Sequence, residues 1–351
     1  MRKLALIVFL ALLAPVSMAQ KKIINIPDIP GYVTLKCDFH MHTVFSDGDV
    51  WPIYRVNEAW KDGLDAVAIT DHLESQPKKA YIPPDHNAAW NIARELARER
   101  NLILIHSTEI TRDMPPGHLN ALFVSDASII MQDSAELTIE TAVQQGAFIQ
   151  WNHPGWKSQE PDGIPKLYDI HKRLLSKGLI HGIEFFNDSE YYPNILEWRS
   201  EYDLAVIASS DIHGIISESY PTGNRPMTLV FARERSEESL KKALMDARTV
   251  AYFDNTLVGP EKLLTALFEA SISVSKPFHE NIYSLWLEVT NISDVPFYLI
   301  NGGKGVPQYL KLEATSISVL RISKEEGTEL KWKVSNLMTG TNEVLEVELS
   351  F

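Results

Sequence analysis

Between about Val33 and Asn255 the chain alternates short apolar runs with longer stretches of helical period. Val33–Phe39, Asp65–Thr70, Leu102–His106, Asn120–Val124, Phe148–Trp151, Gly182–Phe186, Ala205–Ser209 and Met227–Phe231 are rich in β-branched or apolar residues and read as strands. Asn87–Arg100, Glu136–Gln145, Pro165–Lys177 and Ser236–Ala247 space their apolar positions three and four apart and read as helices. This alternation predicts parallel strand pairing through helical crossovers. Roughly seven such units suit a barrel better than an open sheet, although the pattern alone admits both.

Beyond Pro260 the pattern changes. Lys262–Ala270 reads as a short helix, and Ile272–Val274, Tyr283–Val289, Pro296–Ile300, Ser316–Ile322, Leu330–Val334 and Val344–Phe351 read as strands. Turn-forming spacers such as Asn301-Gly302-Gly303 and Gly340-Thr341-Asn342 separate several of them. The expected organisation is therefore an α/β domain over residues 20–258 and a small all-β, sandwich-like domain over 259–351.

The 351 residues are 45% hydrophobic and 23% charged, which excludes wholesale disorder and a polytopic membrane protein. With 46 acidic against 33 basic residues the formal charge is −13, and no basic stretch could track a phosphate backbone, so no nucleic-acid surface is expected. A single cysteine, Cys37, excludes an internal disulfide and a cysteine-based zinc finger; within the apolar first strand it reads as a buried structural thiol. At the N-terminus Arg2 and Lys3 precede an apolar run, Leu4–Ala14, then Pro15 and Ser17-Met18-Ala19. That is the layout of a cleaved signal peptide over residues 1–19, too short to span a bilayer, with an uncleaved anchor as the alternative. The expectation is an exported protein, periplasmic or secreted, with no stable membrane span after cleavage.

Candidate chemistry concentrates where the predicted strands end. His40 and His42 share a face after the first strand, and Asp211 and His213 do so after Ala205–Ser209. Asp71-His72, Glu109, His118 and His153 also stand at strand termini, where a β/α barrel places its active site. Imidazole plus carboxylate with no thiolate suits Zn, Mn or Fe. Six histidines and three carboxylates exceed one tetrahedral shell, so two to three divalent metal ions are expected. Asp71 has a helix-capping alternative and Asp47-Gly48 a plain turn.

Together these segments resemble the motifs of the PHP (polymerase and histidinol phosphatase) family. Asp38-Phe39-His40-Met41-His42-Thr43-Val44-Phe45-Ser46-Asp47-Gly48 is similar to the first motif, Ala68-Ile69-Thr70-Asp71-His72 to the second, Thr108-Glu109-Ile110 to the third and Ser209-Ser210-Asp211-Ile212-His213-Gly214 to the fourth. Gly117-His118 and Asn152-His153-Pro154 match intermediate histidine motifs. The resemblance covers about residues 33–255 and implies a distorted (β/α)7 barrel with a trinuclear metal centre. By that resemblance His40, His42, Glu109 and Asp211 would hold one ion. Glu109 would bridge to a second, also bound by His118 and His153, and Asp47, His72 and His213 would hold the third. With the leader and the β-rich tail, the chain further resembles a narrower group of exported bacterial PHP phosphodiesterases acting on organophosphate diesters, in which Tyr220–Thr228 would form the substrate-side loop.

The expected activity is metal-dependent hydrolysis of a small phosphate ester by a metal-bridging hydroxide, a phosphodiesterase being favoured because few basic residues flank the motifs. Arg225 is the first candidate for pairing a phosphoryl oxygen, with Arg112 and Lys157 behind it. Asn187 and Asn152, at strand ends, are candidates for orienting a ligand or substrate, Trp156 for walling the pocket, and Asp38 and Asp71 for bracing imidazoles. The alternatives are a phosphomonoesterase of the histidinol-phosphatase kind, an amidohydrolase-like hydrolase, and an exported binding module.

Overall fold

The computed structural model describes residues 21–325 and 330–350, so the leader expected over residues 1–19 lies outside them. The first region contains strands β1 (Val33–Asp38), β2 (Ala66–Ala68), β3 (Ile103–Ile105), β4 (Ser107–Ile110), β5 (Leu119–Leu122), β6 (Phe148–Trp151), β7 (Gly182–Asn187), β8 (Glu190–Tyr191), β9 (Ala205–Ser209), β10 (Met227–Ala232), β11 (Thr249–Phe253) and β12 (Thr256–Val258). Its helices are α1 (Pro52–Lys61), α2 (Ala88–Glu99), α3 (Ala135–Gln144), α4 (Asp169–Ser176), α5 (Ile195–Tyr202), α6 (Ile216–Ser219) and α7 (Glu237–Met245), and α8 (Glu261–Ser271) leads into the second region. That region holds β13 (Ile272–Val274), β14 (His279–Glu280), β15 (Ser284–Asn291), β16 (Phe297–Ile300), β17 (Tyr309–Leu312), β18 (Ser316–Ser323), β19 (Lys331–Gly340) and β20 (Glu343–Glu348).

The predicted helices form for local reasons. Ala89, Ala93 and Ala97 recur every fourth residue along α2 and are its buried face. Ser134 and Ser236 cap α3 and α7 by accepting the amides of Leu137 and Ser239. Helix α1, which the apolar pattern does not mark, starts on Pro52 and buries Arg55, Val56, Glu58 and Ala59; two of those four are charged, so its inward stripe does not look apolar.

The strands enclose a distorted barrel. β1, β2 and β3 pair in parallel, as do β6 with β7 and β7 with β9. Pairing is antiparallel, however, for β4 with β5, β5 with β6, β1 with β10 and β10 with β11, which corrects the expectation of parallel crossovers throughout. β4 and β5 are joined by a loop without a helix, so the chain turns back. After β10, helix α7 does not return the chain along the wall. Its Leu240, Ala243 and Leu244 pack into the interior among Leu35, Phe39, Phe148, Ile207 and Val230. Between β9 and β10 the Thr228 hydroxyl makes the link, accepting the Ala208 amide and donating to the Ala208 carbonyl, both at 2.9 Å. Cys37 is buried in β1, and burial pushes its thiol well above the usual range.

The second region is all-β. β13, β14 and β18 flank β15 in one sheet; β17, β16, β19 and β20 form the other. Leu287, Val289, Leu320 and Ile322 share a core with Phe297, Leu299, Leu312, Trp332, Val334 and Leu345. The two regions also share a sheet, because β12 pairs in parallel with β19 through Leu257–Leu337 and Val258–Met338. Among the described residues no helix is long and apolar enough to cross a membrane.

Candidate metal centre

The mixed strand directions bring distant residues to one mouth. His40 and His42 follow β1, and the alternation of an extended chain turns both inward while Met41 enters the hydrophobic core and bridges to Ile212. A parallel backbone bridge sets His72 beside Glu109 at the mouth. Because β5 runs opposite to its neighbours, its first residues lie where theirs end; His118 immediately precedes it and so faces Glu109. His153 and Asp211 adopt φ values of 25° and 49°, a left-handed backbone that favours glycine and is strained for a histidine.

All nine side chains expected as ligands fall into overlapping groups whose donor atoms lie within 4.8 Å of one another: His42, Asp47, His72 and His213; His40, His153 and Asp211; His40, His42 and Glu109; His72, Glu109 and His118. His40 Nε2 stands 3.2 Å from Asp211 Oδ1 and 3.4 Å from Glu109 Oε1. His42 Nε2 is 3.0 Å from Asp211 Oδ1, and His72 Nδ1 is 2.6 Å from Glu109 Oε2. On the more open side Asp47 lies 3.2 Å from His72 Nε2 and 3.3 Å from His213 Nε2. Gly48 is required beside it: a Cβ there would stand 2.5 Å from the His42 carbonyl carbon.

These groups fit divalent cations. His40 Nε2, His42 Nε2, His118 Nδ1, Glu109 Oε2 and Asp211 Oδ1 are buried without a hydrogen-bond partner, a costly arrangement unless a cation takes their lone pairs. Neighbouring groups prepare those lone pairs. His40 Nδ1 bonds Glu184 at 2.9 Å and His213 Nδ1 the Asp211 carbonyl at 2.8 Å, which in the neutral ring places the proton on Nδ1 and the lone pair on Nε2. Electrostatics agree. Burial alone would raise Asp47, yet His213 and His72 hold it well below the usual carboxylate range. Burial would lower His72, but Glu109 and Asp47 push it up to about 10. Burial pulls His42, 4.5 Å from the His72 ring, down to about 4. Without cations, protons on some imidazoles balance the carboxylates; divalent ions displace those protons.

Sequence reasoning missed Glu184. It is wholly buried in β7, and its Oε2 accepts the His153 amide at 2.7 Å and Asn187 Nδ2 at 2.8 Å. The available signal was a lone carboxylate inside an otherwise uncharged, fully buried strand. A polar column beneath the mouth completes the support: Gln150 donates to Glu184 and Asn152, and Asn152 donates to Glu109 Oε1 at 2.8 Å and to Asn120.

Several expected roles change. Arg225 does not reach the mouth. It is 2% exposed, its Nε and Nη2 bond Asp62 and its Nη1 bonds Asp38, and it borders a separate small cavity beside Asp62. The cause is charge pairing: a buried guanidinium is held by the two nearest carboxylates. Asp38 accordingly accepts from Arg225 and Ser210, and Asp71 from Thr43 and Ser46, so neither bonds an imidazole. Arg112 pairs with Glu74, and neither it nor Lys157 lines the mouth cavity. Asn187 does line it and donates to Asp211 Oδ2 at 3.2 Å; Trp156 walls it beside His118 and His153. The cavity measures about 330 Å³ and, among the described residues, its lining includes Asp188 and Glu190 but no lysine or arginine.

Residues 272–350 match the model of the DUF5001 family, an Ig-like domain. The whole chain is similar to a two-domain Bacteroides vulgatus protein containing a predicted PHP-like metal-dependent phosphoesterase, known from its crystal structure. The identity is 38%, over 95% of this chain and 99% of that one, with a TM-score of 0.91. An uncharacterized Methanocaldococcus jannaschii protein is 26% identical over 192 residues, 51% of this chain and 82% of its own length. A putative metal-dependent phosphoesterase of Bifidobacterium adolescentis shares 19% identity over 54% of this chain and 90% of its own, with a TM-score of 0.42. The chain belongs to the PHP-like metal-dependent phosphoesterases and carries a C-terminal Ig-like domain.

Proposed function

We propose that this phosphoesterase is a phosphodiesterase working with two to three divalent cations, Zn, Mn or Fe, held by His40, His42, Asp47, His72, Glu109, His118, His153, Asp211 and His213. One observation carries the reading: nine donor side chains cluster at the mouth, and the cavity that seven of them line offers no lysine or arginine among its described residues. Cations in such a cup lower the pKa of coordinated water and neutralise phosphoryl oxygens. The chain's own residues then bind and orient. Glu184 keeps the His40 proton on Nδ1, Asn152 steadies Glu109, and Asn187 steadies Asp211 at the cavity wall. A diester monoanion asks less compensating charge than a monoester dianion, and Asp188 and Glu190 at the rim add negative charge, so the diester is favoured. The leader-like residues 1–19 support export, with a small ester as substrate and no nucleic-acid partner.

The test is metal analysis of the native protein beside matched chromogenic mono- and diesters, with and without chelator. Diester turnover that chelation abolishes is expected. Faster monoester turnover would replace this reading with the phosphatase one, and chelator-resistant hydrolysis would end it.

A further inference from the structure

The two segments that carry His40, His42, Asp211 and His213 are not joined by a strand ladder. β1, which leads to His40 and His42, pairs with β2 and β10; β9, which leads to Asp211 and His213, pairs with β7. They meet at the single Met41–Ile212 bridge, where the His42 amide donates to the Ile212 carbonyl at 3.0 Å, and the rings of His42 and His213 stack at 4.2 Å. Arg55 of α1 reinforces that junction. Its guanidinium is wholly buried and donates from Nε to the His42 carbonyl at 2.9 Å. From Nη2 it reaches the carbonyls of Ile212 at 3.0 Å and His213 at 2.8 Å. Its Nη1 pairs with Glu58 Oε2 at 2.7 Å, and Glu58 Oε1 accepts the Ile216 amide at 2.8 Å.

From this geometry we infer that Arg55, backed by Glu58, is a positioning residue for the ion expected among His42, Asp47, His72 and His213. The inference rests on the metal-centre reading above. Two of the three carbonyls Arg55 grips belong to His42 and His213 themselves, so any shift of the guanidinium turns both imidazoles. A planar fork with five donors can hold three carbonyls and a carboxylate at once; a lysine ammonium, with three donors on one atom, cannot. The Glu109–His118 side of the cup has no contact with Arg55 among its described partners, so loosening Arg55 acts on one side of the cup.

The experiment is calorimetric titration of Mn²⁺ into the metal-freed full chain, comparing wild type with R55K. Wild type is expected to show more than one class of site. In R55K one class weakens at least about tenfold, the scale of a lost supporting contact to a metal ligand, while another class is retained. Excess Mn²⁺ then recovers part of kcat. E58Q, which keeps an acceptor for Ile216 but loses the charge facing Arg55, moves the same class in the same direction by less; it carries the test if R55K does not fold. A variant with a lower Tm but wild-type Mn²⁺ affinities would reduce Arg55 to a structural role and overturn the inference. Absence of Mn²⁺ uptake by wild type would instead remove the metal-centre reading beneath it.

Discussion

At the barrel mouth His40, His42 and Glu109 are wholly buried yet leave ring nitrogens and a carboxylate oxygen without hydrogen-bond partners. In the Ig-like domain the buried positions are Leu287, Val289, Leu320, Phe297, Val334 and their neighbours, and the described orphan is the Trp332 indole N–H alone. Each orphaned buried group costs about 1–3 kcal/mol. The mouth therefore holds tension that cations would relieve, whereas the sandwich is stable through apolar burial. The difference separates a polar cup from an apolar core, although β12 and β19 join the two regions in one sheet. The regions are nonetheless fastened: Asn336 of β19 donates to the Asn255 carbonyl at 2.7 Å and to the Pro296 carbonyl at 2.8 Å, and Met338 packs against the barrel core.

Substitutions in each region test that separation. D211N removes a charge shared by His40 and His42; it is expected to cut metal content and phosphoester turnover by at least about a hundredfold, with little loss of fold. Unchanged turnover and metal content would break the assignment of the mouth. W332A empties the sandwich core and is expected to lower stability by about 3–5 kcal/mol on denaturant titration. Its metal stoichiometry, measured on the folded fraction, should match wild type; loss of metal would show that the Ig-like core also shapes the cup.

Two glycines sharpen the comparison. Gly48→Ala forces a Cβ into the backbone of His42 and is expected to cost about 1–3 kcal/mol and weaken metal uptake. Gly302→Ala in the sandwich meets nothing within 4 Å and should stay within about 0.5 kcal/mol of wild type. Equal effects from the two, read by thermal denaturation and metal titration, would remove the distinction. The smallest effect is a pH response at His181, outside the mouth. Burial lowers it to about 4, and its Nδ1 accepts the Ile149 amide. Its contribution is full above pH 6.5 and declines as pH falls towards 4, because the unfolded chain takes up the proton first. His181→Asn should flatten that part of a Tm–pH profile; an unaltered slope would place the acid sensitivity elsewhere.

Much of this was readable along the chain. The barrel strands carry β-branched runs, and the nine donors stand at strand ends in short motifs, where local spacing alone puts His40 with His42 and Asp211 with His213 on one face. Helix α1 escaped because its buried stripe includes Arg55 and Glu58, and α7 reads as a crossover until its leucines are seen inside the barrel. Arg225 followed a motif-like loop, yet nothing in that loop reveals that Asp38 and Asp62 lie against it.

The amino-acid order determined which atoms can bind cations and which segments extend or coil, because those properties arise within a few residues. Tertiary structure alone decided that Glu184 meets His40 across 144 positions, that Arg55 grips both halves of the mouth, and that β12 joins β19. Such contacts depend on strand direction and packing, which one-dimensional periodicity does not encode.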